Sequence, residues 1–85
     1  MNIEDLVRSF RDGATRGTAS GRRVRIEGNL LINYDTVIAE RVEGGVRLNT
    51  RKYSSTTSRL QNRIARICNV VEEYEGDRAY IYYGW

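Results

Sequence analysis

The sequence predicts an α+β domain with a short N-terminal helix, a four-stranded antiparallel meander, a long amphipathic helix packed on the sheet and a C-terminal strand, in the order α-β-β-β-β-α-β. Three patterns carry that expectation. Apolar residues recur at helical spacing near the start, they alternate with polar ones through the middle, and they return to helical spacing after residue 55.

Residues 2–11 read as a helix because Ile3, Leu6, Val7 and Phe10 fall at i, i+3, i+4 and i+7. Asn2 is placed to cap the first turn, Glu4 and Asp5 suit the positive end of the helix dipole, and Gly13 is a natural stop. The small, polar stretch 12–21, DGATRGTASG, reads as a loop. In the meander, Val24 and Ile26 alternate with Arg23, Arg25 and Glu27, and Gly28-Asn29 marks a tight hairpin. A second strand covers 30–35, a turn falls at Asp35-Thr36, a third strand covers 37–42, and Glu43-Gly44-Gly45 turns the chain into a fourth at 46–50. Links this short join antiparallel neighbours.

The longest helical signal spans 55–74, where Leu60, Ile64, Ile67, Cys68, Val71 and Tyr74 share one stripe. Ser58 with Gln61 fits a capping box, and Ser55 is an earlier alternative cap. Glu75-Gly76-Asp77 ends this helix, and 78–85 reads as the closing strand.

At 85 residues the chain suits one domain, spanning 1–85. It has no histidine, which removes the usual general base and the usual zinc ligand. Its one cysteine, Cys68, lies on an apolar stripe and can form no internal disulfide, which points to a reducing cytoplasmic setting. The acidic N-terminus has no apolar core of a signal peptide, and no apolar run is long enough to span a membrane. No catalytic residues, cofactor or metal are expected. The chain reads as a binding protein and not an enzyme.

The net charge is +3, and of the 14 basic residues all but Lys52 are arginine, the side chain suited to bidentate contact with carboxylate or phosphate. The densest basic group is Arg51, Lys52, Arg59, Arg63 and Arg66, with the last three at i, i+4 and i+7 beside the apolar stripe. Glu72 and Glu73 lie downstream, where the same helix would let them partly neutralise it. Tyr80 and Tyr82 are expected on the outward face of the last strand, where exposed aromatics serve stacking or protein contact. These seven are the expected partner-binding residues. Arg16, Arg22, Arg23 and Arg25 form a secondary basic patch. For each group the alternative is a solvated surface whose long side chains cover apolar neighbours with their stems. The hydroxyl-rich stretch 49–62 can hold an anion at a helix start or simply cap that helix.

Tyr34-Asp35-Thr36-x-Ile38-Ala39 followed by Leu48-Asn49-Thr50-x-Lys52-Tyr53-Ser54-x-Thr56-Thr57-Ser58-x-x-Gln61-Asn62, which includes most of that stretch, resembles a pattern in small uncharacterised proteins of phages and mobile elements. The resemblance covers 28–64, and Leu60 stands where the pattern often carries a basic residue or histidine. It implies a phage accessory protein that inhibits a host defence factor by direct binding, in the manner of an anti-CRISPR protein. The expected partner is then a host protein or ribonucleoprotein in the host cytoplasm, with no membrane involved and a homodimer compatible. The alternative is a nucleic-acid-binding module that uses the arginine flank and the sheet tyrosines.

Overall fold

The computed structural model describes residues 1–76 and has the expected α+β class. Its elements are α1 (Ile3–Arg11), β1 (Arg16–Ala19), β2 (Val24–Glu27), β3 (Leu30–Asn33), β4 (Thr36–Val42), β5 (Gly45–Asn49), α2 (Ser55–Ile67) and β6 (Val70–Tyr74). All six strands join one sheet in sequence order. Strands β1 to β5 pair antiparallel, and β6 pairs parallel to β5 after the crossover through α2, so the sheet is mixed.

Two expected segments differ in the structure. The stretch 12–21 is not all loop, because Arg16–Ala19 pairs with β2 along its length and extends the meander to five strands. Gly17 is usable there because its missing side chain leaves room for Leu6 of α1; a Cβ would lie 2.9 Å from Leu6 Cδ1. The long helix does not run to residue 74 either. It ends at Ile67, Cys68 takes an extended conformation, and Val70–Tyr74 becomes the parallel strand. The stripe residues Val71 and Tyr74 leave the core with it, and Val71 is exposed. The strand expected at 78–85 lies outside the described residues.

Side-chain alternation divides the sheet into two faces. Across the strands, Gly17, Ile26, Leu31, Ala39 and Leu48 stand in one register row. This row faces α1 and α2, and its apolar members join Leu6, Val7, Phe10, Leu60 and Ile64 in one core. Fully burying a side chain such as Leu6 or Phe10 contributes about 1.5–3 kcal/mol, which explains why an 85-residue chain gathers them in one place. The neighbouring row, Glu27, Leu30, Glu40, Arg47 and Glu72, lies on the opposite face. There Arg47 bonds Glu40 at 3.0 Å, reaches Glu72 at 3.2 Å and lies over the Tyr74 ring. Glu72 therefore pairs across the sheet and does not neutralise the arginines of α2.

The first helix starts as its sequence dictates, with Asn2 Oδ1 accepting from the Asp5 N–H at 2.7 Å. The second is capped one residue before Ser55 and four before Ser58, the two expected caps: Ser54 is extended and its hydroxyl accepts from Thr57 N–H. Gln61, the expected partner in a capping box with Ser58, is buried instead and donates to the carbonyls of Asn49 and Arg51.

Candidate functional site

The basic residues of α2 meet α1 across the helix layer. Glu4 stands in the first turn of α1, and its two carboxylate oxygens face three guanidinium groups. Arg8, one turn on, reaches Oε2 at 3.0 Å. Arg66 of α2 reaches Oε1 at 3.0 Å, and Arg63 approaches the same oxygen at 3.9 Å. Three positive charges surround one negative charge, so the cluster carries an excess of two. Arg59, one turn before Arg63, is exposed and pairs with no acid among the described residues. The ion pairs are open to solvent, with Glu4 at 36 % and Arg66 at 64 % side-chain exposure. Pairs of this kind contribute up to about 1 kcal/mol each, which leaves the arginines able to exchange partners.

The structure divides the other expected residues. Lys52 is exposed, near the start of α2. Arg51 is committed to the fold, because its Nε donates to the Gly76 carbonyl at 2.6 Å and its own carbonyl accepts from Gln61. In the secondary patch, Arg16 and Arg22 are exposed, and Arg23 buries an Nε that has no hydrogen-bond partner among the described residues. Arg25 donates to Glu27 and to the Tyr34 carbonyl and approaches Asp35, so it is not a free cation. Tyr80 and Tyr82 lie outside the described residues.

The hydroxyl-rich junction between β5 and α2 is occupied by the fold itself. Asn49 is 1 % exposed, and its amide donates to the Val37 carbonyl and the Tyr53 hydroxyl, each at 3.0 Å. Its side-chain oxygen accepts from Arg51 N–H and Gly76 N–H. Below it, Asn33 donates to the Thr57 hydroxyl at 2.9 Å, and Thr57 touches Ser54. The motif residues Asn49, Tyr53, Ser54, Thr57 and Gln61 thus join β4, β5, α2 and the end of β6. Capping and buried hydrogen bonding account for these polar groups.

Arg41 is the functional-looking side chain that the sequence did not single out. From β4 its guanidinium donates to the carbonyls of Phe10, Ala14 and Gly28 and to Asn29 Oδ1. It ties the end of α1 to the β2–β3 turn. With Arg11, Cys68 and Asn69 it lines a shallow cleft of about 430 Å³. No carboxylate is among the cleft's described lining residues, and Arg11 is already bonded to Asp12. The Cys68 thiol is buried, which pushes its pKa up and keeps it protonated and unreactive. Among the described residues no group of histidine, cysteine or acidic side chains could hold a metal ion, and no helix is long and apolar enough to cross a membrane.

Fold and surface together define a small α+β protein with a mixed six-stranded sheet and a basic seam between its two helices. No protein-family model, curated protein or solved structure matches the chain.

Proposed function

We propose that the chain is a small non-catalytic binding protein that inhibits a host defence factor by direct contact, as its phage-like sequence pattern implies. The observation that carries the binding role is the convergence of Arg8, Arg63 and Arg66 on one solvent-open carboxylate, with Arg59 exposed alongside. Guanidinium groups on two packed helices form a firm surface with donors for a partner's anions. The tested variant replaces Arg59, Arg63 and Arg66 with glutamate. The unaltered chain should capture a specific protein from a bacterial host lysate, with or without nuclease, and the variant should lose it while keeping its circular dichroism spectrum. Equal capture by both would remove this surface from the function.

The exposed Arg16, Arg22 and Lys52 favour a second reading, in which the partner is a nucleic acid. Binding would then fall steeply with salt as phosphate counterions are released. Capture that disappears after nuclease treatment would support this alternative over a protein partner.

A further inference from the structure

We infer that Glu4 occupies the place of a partner's carboxylate, and that the surface receives an acidic segment of a protein by exchange with Glu4. This builds on the binding role proposed above and names its centre and chemistry. The carboxylate comes from α1, while Arg63 and Arg66 come from α2, 59 and 62 residues further along. The two guanidinium groups stand one helical turn apart and both turn to a single carboxylate oxygen. The site therefore already accommodates a side-chain carboxylate. Its charge is incompletely matched, three arginines to one glutamate, so an incoming acid gains partners that Glu4 cannot satisfy alone. The exposure of all four side chains allows exchange without opening the core.

A protein carboxylate fits better than a phosphate backbone. Asp5 is exposed on the same helix as Glu4 and Arg8, and Arg11 is held by the exposed Asp12 at the helix end. These acids alternate with the basic residues along α1 and its end, so a long phosphate track laid along that helix would meet them. A short acidic segment can place its charge within the seam and avoid them. Over the whole sequence the net charge is only +3, which supplies little general attraction for a polyanion.

The test measures fluorescence anisotropy of a labelled glutamate-rich peptide and of a labelled DNA duplex with the full chain at one ionic strength. Glu4→Gln removes the internal competitor and should tighten peptide binding roughly fivefold, the equivalent of one exposed ion pair. Asp35→Asn makes the same change in net charge at a side chain 94 % exposed on the β3–β4 turn, and it should leave the affinity unchanged. The double variant Arg63→Gln, Arg66→Gln should lose the peptide. Equal tightening by Glu4→Gln and Asp35→Asn would show a general charge effect and overturn the inference. So would no tightening by Glu4→Gln, or tighter binding of the duplex than of the peptide. If host capture is lost in the triple-glutamate variant while Glu4→Gln changes nothing, the binding surface stands and the exchange at Glu4 falls.

Discussion

Arg41 lies with its guanidinium carbon 4.8 Å from the centre of the Phe10 ring, while the same guanidinium donates to the Phe10 carbonyl. One cation thus covers an aromatic face and caps the end of the helix that carries it. The Phe10 ring is fully buried, so the sheet-borne arginine fixes the position of α1 on the core.

Replacing Arg41 with methionine keeps much of the stem and removes the donors. Three backbone carbonyls then lose a charged partner. The expected loss is about 2–3 kcal/mol, reduced by water at the exposed side of the group. Urea unfolding should show a lower midpoint with an unchanged slope. A loss below about 0.5 kcal/mol, the level of an ordinary surface change, would contradict the tethering role.

The start of α2 can be located by two substitutions. Ser54→Ala removes the hydroxyl that accepts from Thr57 N–H and should cost about 1 kcal/mol. Ser58→Ala lies inside the helix, where alanine is the better helix former, and should fall within about 0.5 kcal/mol of the unaltered chain. Thermal unfolding of the two variants side by side checks the order.

Gly45 begins β5 where it meets the segment entering β6. A Cβ there would overlap the Asn69 carbonyl oxygen, which accepts from Val46 N–H at 2.9 Å. Gly45→Ala should destabilise by about 1–3 kcal/mol or more, because backbone and not a flexible side chain must give way. Amide hydrogen exchange should show the loss concentrated at Val46 and along β6. Uniform loss of protection would point to some other cause.

Alkaline pH should weaken the fold. Burial pushes the Cys68 thiol above its ordinary value of 9.0 and the Tyr74 phenol above 10.0, and the charge of Arg47 only partly opposes the latter. In both cases the folded state holds its proton more tightly than the unfolded chain. The stability they supply is complete below those unfolded values and is lost as pH rises through the folded ones. Urea midpoints followed from neutrality to about pH 11 should fall, and Cys68→Ala should flatten the earlier part of that fall. An unchanged slope in the variant would exclude the thiol as a contributor.

The legibility of each element depended on how local its cause was. The stripe Ile3, Leu6, Val7 and Phe10 and the Asn2 cap lie within one short segment, and α1 forms where they place it. The turns after β2, β3 and β4 are likewise legible from Gly28-Asn29, Asp35-Thr36 and Glu43-Gly44-Gly45, although Thr36 and Gly45 already begin β4 and β5. Residues 68–74 carry two signals, because Cys68, Val71 and Tyr74 continue a helical spacing while Val70 and Val71 also suit a strand. Pairing decided between these readings: β5 offered an open edge that a returning parallel segment could complete.

The sequence by itself determined the α+β class, the first helix, the hairpin turns and the supply of arginine, because each follows from neighbours a few residues apart. Only the tertiary structure decided that Arg16–Ala19 and Val70–Tyr74 are strands, that Arg41 turns inward, that Arg51 and Arg25 serve the fold, and that Arg8, Arg63 and Arg66 meet at Glu4. Those outcomes depend on hydrogen bonds and charges brought together from distant parts of the chain. Local periodicity carries no record of which distant partner a strand edge or a guanidinium will find.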